Sequence, residues 1–109
     1  AHHQLKNFVL IVDYNNIQSF GNVKDVINLE PLKEKFESFN FNVCDIDGHD
    51  HDAVLNSFSA IFDNEKPLVI IANTIKGKGV DFMEHELKWH YKSPNEIELA
   101  AAINQIEEA

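Results

Sequence analysis

Three short apolar runs, rich in valine, isoleucine and phenylalanine, stand out in the pattern of hydrophobic and polar positions along the chain. They occupy residues 8–13, 41–47 and 68–74. Their length and β-branched content predict strands. The first and third runs are almost continuous in apolar residues, which is typical of strands that are covered on both faces. The second run alternates more clearly between apolar and polar positions.

Helical periodicity occupies the segments between and after these runs, where apolar residues recur at spacings of three and four. The segments are residues 29–39, 54–62 and 97–106. Asn28 and Pro31 begin the first predicted helix as a cap and an early proline. Asp50 is the predicted cap of the second helix, and Ser93 or Asn95 starts the third.

The alternation of strands and helices predicts an α/β fold, a parallel sheet with flanking helices. Parallel strands need long crossover connections, and helices usually provide them. Three strands leave sheet edges that other segments would cover, and residues 1–6 are interpreted as the end of a further helix. We therefore interpret the chain as part of a larger α/β domain.

Composition and charge narrow the function classes. The chain has 109 residues, of which 44% are hydrophobic, and a formal net charge of -9. An acidic chain without a block of lysine and arginine is unsuited to a nucleic-acid backbone, so no nucleic acid partner is expected. The longest apolar runs, such as residues 68–72, are far shorter than the roughly 20 residues that span a bilayer. We expect no membrane association and, from the single Cys44, a cytoplasmic location.

A polar stretch follows the first predicted strand. Asp13, Asn15, Asn16 and Gln18 lie in the sequence VDYNNIQSFG, residues 12–21. One interpretation is a turn, because asparagine and aspartate bond their own backbone and tolerate left-handed geometry. The other is a Mg²⁺ site, because ligands of open parallel sheets collect beyond the carboxyl ends of strands and Mg²⁺ takes oxygen ligands. Residue chemistry alone leaves both open.

A stretch rich in glycine and lysine follows the third predicted strand, in the sequence TIKGKGVDFME. Gly77 and Gly79 permit close backbone approach, and Lys76 and Lys78 are two of only nine basic residues. The stretch suits a phosphate group, although GxG alone is a weak signal and the P-loop pattern is absent. A tight surface turn is the alternative.

Six histidines raise the question of a zinc site. His85 and His90 of HELKWH lie five residues apart and would not share a helix face, and only one cysteine is present, so zinc is not predicted. His90 lies next to Trp89 and outside any predicted helix. It suits acid–base or phosphate chemistry, and packing beside Trp89 is the alternative.

The order of these motifs resembles the amino-terminal, thiamine-diphosphate-binding region of transketolases. The segments that carry the resemblance are HHQLKNFVLIVDYNNIQSFG, EPLKEKFESFNFNVCDIDGHD, PLVIIANTIKGKGVDFME and WHYKSPN. The resemblance extends over essentially the whole chain and is closest to transketolases whose amino-terminal half is a separate subunit. It implies a three-layer α/β/α fold, in which residues 1–109 form the carboxyl-terminal half of the diphosphate-binding domain.

Transketolases use thiamine diphosphate and Mg²⁺ to transfer a two-carbon ketol unit between sugar phosphates. By position, the resemblance implies that the Asn15 side-chain oxygen and the Ile17 backbone carbonyl bind Mg²⁺. It also implies that Lys76 lies near the cofactor, and that His90 faces the diphosphate and the substrate as a catalytic and cofactor-binding residue. A cation and a group that titrates near neutral pH suit an anionic cofactor.

The sequence departs from the family pattern at several points. The Gly-Asp-Gly that begins the family's cofactor motif and supplies a Mg²⁺ carboxylate is not among these residues, and Tyr91 replaces the glycine that commonly follows the histidine. The glutamate that activates the cofactor belongs to a following domain, usually across a dimer interface. The resemblance therefore implies a dimer whose site is completed by the remaining transketolase domains or a carboxyl-terminal subunit. This chain alone is expected to be inactive.

Two other functions stay open. One is a related enzyme, such as a 1-deoxyxylulose-5-phosphate synthase, although the proline soon after His90 in WHYKSP favours a transketolase. The other is a non-catalytic α/β fragment kept for assembly or regulation, an interpretation that the missing Gly-Asp-Gly supports.

Overall fold

The computed structural model describes residues 1–59 and 65–108. The elements are β1 (Val9–Tyr14), β2 (Ile17–Gln18), β3 (Gly21–Asn22), α1 (Val23–Val26), α2 (Leu32–Ser38), β4 (Asn42–Asp47), α3 (His51–Ser59), β5 (Leu68–Asn73), a 3₁₀ turn (Leu87–His90) and α4 (Glu96–Glu107). They form two compact units. We call the described residues of Ala1–Tyr14 and Asn28–Thr74 the sheet unit, and those of Asn15–Ile27 and Ile75–Ala109 the hairpin unit.

The sheet unit is built on a parallel three-stranded sheet with the order β1-β5-β4. The central strand, β5, is covered on both faces, since Val69 is 0% and Ile70 2% exposed. Helices α2 and α3 pack against β4. The predicted fold, an α/β fold with a parallel sheet and flanking helices, is confirmed, and so is the double-sided burial of the third apolar run.

Strand β1 is more exposed than predicted. Among the described strands it pairs only with β5, and Ile11, which pairs in register with Ile70, is 56% exposed. The prediction that the first apolar run is covered on both faces is therefore wrong. A strand with one neighbour has less surrounding structure to cover its side chains than a central strand has.

Side-chain caps define where two of the helices begin. Asp50 Oδ1 accepts hydrogen bonds from the backbone N–H groups of Asp52 at 2.9 Å and Ala53 at 3.1 Å, so the predicted cap of α3 is confirmed. Helix α4 begins after Asn95, which forms a capping box with Glu98. Of the two predicted starts of this helix, Asn95 is the correct one. The predicted continuation of α3 over residues 61 and 62 lies outside the described residues.

Two other predictions about helices are wrong, one about the start of α2 and one about residues 1–6. Helix α2 begins at Leu32 after Pro31, and Asn28 does not cap it. The Asn28 side-chain oxygen instead accepts from the Glu30 N–H at 3.0 Å, because asparagine closes local turns as readily as it caps helices. Residues 1–6 form turns rather than a helix. Across residues 1–59 and 65–108, no helix is long and apolar enough to cross a membrane.

The hairpin unit contains the antiparallel β2–β3 hairpin, α1, the 3₁₀ turn and α4. Two hydrogen bonds join α4 to the preceding loop, since Asp81 N–H donates to Gln105 Oε1 at 2.8 Å and Gln105 Nε2 donates to Asp81 Oδ1 at 2.7 Å. The Lys92 ammonium donates to Glu98 at 2.6 Å and holds the pKa of that carboxyl below its usual range. Several apolar side chains of α4 are exposed. They are Ile97, Leu99, Ile103 and Ile106.

The register pair Ile11 and Ile70 offers a matched test of the sheet. We expect Ile70→Ala to lower the free energy of unfolding by about 2–5 kcal/mol, because truncation of a buried side chain leaves a cavity. Ile11→Ala removes the same atoms from an exposed position and is expected to cost clearly less. Urea denaturation of the 109-residue chain measures both variants. Equal losses would contradict the central position of β5.

Candidate cofactor site

The polar stretch after β1 forms a tight turn into the hairpin. Asn15 Oδ1 accepts a hydrogen bond from the backbone N–H of Ile17 at 3.0 Å, which is the self-bonding turn that asparagine favours. Asn16 follows in the left-handed region with φ 62°, a conformation that asparagine tolerates better than most residues. The turn interpretation of this stretch is therefore confirmed.

The ladder of the hairpin determines which way the Ile17 backbone points. Val23 N–H donates to the Asn16 carbonyl at 2.9 Å, so Asn16 and Val23 form a hydrogen-bonded pair. Ile17 and Asn22 are the next pair, and in an antiparallel ladder the pair adjacent to a hydrogen-bonded one points its N–H and C=O groups outward. The Ile17 carbonyl and the Asn15 Oδ1 that accepts its N–H thus lie along the same outer edge of the hairpin.

The loop that contains Lys76 is folded back on itself. His85 N–H donates to the Lys76 carbonyl at 3.1 Å. Gly77 has φ +77°, and a Cβ at that position would lie 2.6 Å from the Met83 carbonyl oxygen, so only glycine permits this approach. The Lys76 side chain is half-buried. Within residues 1–59 and 65–108 no ion pair forms at its ammonium, whereas Lys78 Nζ lies 4.0 Å from a glutamate oxygen.

His90 is exposed and ends the 3₁₀ turn. The prediction that no helix includes it is wrong, because a single turn is too short to show a hydrophobic period. Trp89 Nε1 donates to the Phe82 carbonyl at 2.9 Å. This bond fixes the Trp89 side chain, which directly precedes His90. The His90 ring lies 4.8 Å from the Tyr91 ring, edge to face at 87°, and the Tyr91 hydroxyl donates to the Ser19 carbonyl at 2.8 Å.

All four residues predicted for the site belong to the hairpin unit. Asn15 and Ile17 are in direct contact, and His90 is connected to the hairpin through its ring contact with Tyr91. Lys76 is held separately, by the backbone bond within its own loop. The sequence identified Tyr91 as a departure from the family pattern but did not predict its hydrogen bond to the Ser19 carbonyl, because Ser19 lies far away along the chain.

The donor set fits a magnesium diphosphate. Mg²⁺ usually takes one or two protein oxygens and completes its octahedron with waters and phosphates, and the hairpin edge offers one amide oxygen and one carbonyl. No group of three histidine, cysteine, aspartate or glutamate side chains that could hold a metal is found among residues 1–59 and 65–108. The hairpin edge would contribute these two neutral oxygens to a metal.

Comparison with known proteins places the chain in a family. The family described as "Transketolase, thiamine diphosphate binding domain" matches residues 1–106. The chain belongs to this family. One component of an apulose-4-phosphate transketolase from Actinobacillus succinogenes is 36% identical over 99% of the chain. One component of a 6-deoxy-6-sulfo-D-fructose transketolase from a Clostridium species is 35% identical over 95% of it.

Solved structures agree with this family membership. The transketolase of Campylobacter jejuni matches 97% of the chain with a TM-score of 0.89 and 35% identity, and the match covers 17% of the Campylobacter chain. This chain spans 39% of the length of the Actinobacillus protein and 38% of the Clostridium protein. These matches confirm that the chain resembles the amino-terminal, cofactor-binding region of transketolases.

The two loop glycines give a matched test of the Lys76 loop. Both have positive φ, so alanine at either position costs about 1–2 kcal/mol of backbone strain. Gly77→Ala also forces a contact with the Met83 backbone, whereas a Cβ at Gly79 meets nothing within 4 Å. We expect Gly77→Ala to speed hydrogen exchange at the His85 amide much more than Gly79→Ala does. Equal exchange rates in the two variants would show that the loop is not closed by this approach.

Proposed function

We propose that this chain is part of a thiamine-diphosphate- and Mg²⁺-dependent transketolase that transfers a two-carbon ketol unit between sugar phosphates. Within that enzyme, residues 1–109 would be the carboxyl-terminal half of the diphosphate-binding domain. Family membership supports the cofactor. The observation that carries the proposal is the hairpin edge, where Asn15 Oδ1 accepts the Ile17 N–H and the ladder turns the Ile17 carbonyl toward the same edge.

In this proposal Asn15 Oδ1 and the Ile17 carbonyl hold Mg²⁺, and the metal holds the diphosphate. The two neutral oxygens would be part of the coordination shell, which the diphosphate, waters and the carboxylate of the upstream Gly-Asp-Gly implied by the family pattern would complete. The Lys76 ammonium, half-buried and without an ion-pair partner among residues 1–59 and 65–108, is assigned to the same anionic group as a point charge.

His90 is the proposed catalytic residue. Thiamine diphosphate supplies the carbon chemistry, and the protein contributes binding, orientation and proton transfer. The imidazole of His90 is exposed, and histidine is the side chain best suited to both donating and accepting a proton at substrate oxygens under physiological conditions. Its position at the end of the 3₁₀ turn, beside a ring that is bonded to the hairpin, supports a fixed orientation.

The proposal includes further protein around this chain, as remaining transketolase domains or a carboxyl-terminal subunit in a cytoplasmic dimer. Three exposed apolar side chains on one face of α4 support it, Leu99, Ile103 and Ile106, because a contiguous apolar face usually marks a contact with other protein. The length of the relatives, of which this chain spans 39% in the first case, points the same way.

The activity is tested with the complete protein in its native assembly. Supplied with thiamine diphosphate and Mg²⁺, it should transfer a ketol unit from a ketose phosphate to an aldose phosphate, and chelation of the metal should stop the reaction. A reaction that instead condenses pyruvate with an aldose phosphate would favour the synthase alternative. Bound cofactor without turnover on any donor would favour the non-catalytic alternative.

The metal assignment is tested at Asn15 in the same assembly. Asn15→Ala should weaken Mg²⁺-dependent binding of thiamine diphosphate by at least about tenfold, since even residues that only support a metal ligand cost that much. Asn15→Asp is the matched control, because its carboxylate still accepts the Ile17 N–H and still offers oxygen to the metal. Calorimetric titration at several Mg²⁺ concentrations measures both. Equal weakening by the two variants would contradict the assignment.

The catalytic assignment is tested with two asparagine substitutions. His90→Asn should lower turnover by about 10²–10⁴-fold, the usual contribution of general acid–base catalysis. His85→Asn changes an exposed histidine of the same loop, and asparagine tolerates the positive φ of 59° there. Turnover should survive this second change. If His90→Asn lowers thermal stability but not turnover, the residue only packs beside its neighbours.

A further inference from the structure

The hydroxyl of Tyr91 is bonded although its ring is largely exposed. The side chain is 69% exposed, yet Oη donates to the Ser19 carbonyl at 2.8 Å across 72 positions of sequence. Ser19 lies at the tip of the hairpin, between β2 and β3. The bond therefore attaches an exposed aromatic ring to the hairpin that carries Asn15 and Ile17.

The ring of Tyr91 also contacts the imidazole of His90. Their centroids are 4.8 Å apart at 87°, the edge-to-face geometry that aromatic pairs prefer. The backbone at this point is held independently, because the Tyr91 N–H donates to the Lys88 carbonyl at 3.2 Å. Tyr91 thus restrains His90 in two ways. Its backbone N–H closes the 3₁₀ turn that ends at His90, and its ring contacts the imidazole.

We propose that Tyr91 is a positioning residue for His90. The hydroxyl of Tyr91 fixes the tyrosine ring on the hairpin tip, and this ring in turn fixes the rotamer of the His90 imidazole. The catalytic consequence rests on the proposed function of His90. A glycine at this position would make neither contact. In this chain the tyrosine holds the imidazole in one orientation relative to the Asn15–Ile17 edge, which preserves a proton-transfer geometry that is sensitive to small displacements.

The first readout is spectroscopic and does not depend on turnover. In the complete protein with ¹³C-labelled histidine, His90→Asn assigns the His90 signal. Tyr91→Gly should shift that signal, because the ring current of Tyr91 is lost. Tyr91→Phe keeps the ring but removes its anchor, and should broaden the signal or shift it to a smaller extent. Tyr14→Phe removes the hydroxyl of the other tyrosine, which bonds Glu30 in the sheet unit, and should leave the His90 signal unchanged.

The second readout is a double-mutant cycle on turnover. Tyr91→Gly should lower kcat by about tenfold and Tyr91→Phe by a smaller factor, with the apparent KM for thiamine diphosphate changed less than about twofold. In a His90→Asn background, Tyr91→Gly should have no further effect, because coupled residues are not additive. Fully additive losses, or an unshifted His90 signal in Tyr91→Gly, would overturn the proposal.

The two proposals fail in distinguishable ways. If His90→Asn leaves turnover unchanged, the catalytic assignment of His90 fails, while the shift of the His90 signal in Tyr91→Gly still supports the positioning contact. If His90→Asn lowers turnover but Tyr91→Gly leaves both kcat and the signal unchanged, the positioning role fails and the catalytic assignment stands.

Discussion

The burial of β5 between two parallel strands is the constraint on which the sheet unit depends. Val69 is fully removed from water, so the backbone groups of the strand need protein partners, and β1 and β4 supply them along its whole length. Further hydrogen bonds connect the carboxyl end of β5 to β4 and to the turn that follows β4. Asn73 Nδ2 donates to Asp45 Oδ1 at 2.6 Å, and the Asn73 carbonyl accepts from Gly48 N–H at 2.8 Å. Gly48 is glycine because a Cβ there would lie 2.5 Å from Thr74 Cγ2.

In the hairpin unit, one short side chain closes a turn and could still accept a metal on the same oxygen. Asn15 Oδ1 closes the turn by accepting the Ile17 N–H, and an amide oxygen has two lone pairs, so this bond is compatible with a cation on the same atom. The bond also orients the amide along the edge to which the Ile17 carbonyl points. A turn and a metal site are therefore not competing explanations of the stretch. The hydrogen bonds of the turn would preorganise the oxygens that a metal needs.

Features that depend on a few neighbouring residues were predicted well. The three long strands begin and end within one residue of the predicted runs, and Asp50 and Asn95 cap their helices, because a cap bonds backbone groups only two or three positions away. Two errors in local features arose where local chemistry has two outcomes. The Asn28 side chain stabilises a local turn instead of capping α2. His90 ends a single helical turn, which contains too few residues to reveal a period.

The amino-acid pattern alone was sufficient for the three long strands, for helices α2, α3 and α4, and for the parallel α/β class, but it did not predict the β2–β3 hairpin or α1. It also carried the resemblance to transketolases, which pointed to Asn15, Ile17, Lys76 and His90. The folded chain was needed for the strand order β1-β5-β4, which buries the third apolar run and leaves Ile11 exposed. It was also needed to bring the Tyr91 hydroxyl to the hairpin tip. Periodicity and capping are short-range effects that a linear pattern contains. Burial and long-range hydrogen bonds depend on which distant segments pack together, and no run of neighbouring residues encodes that choice.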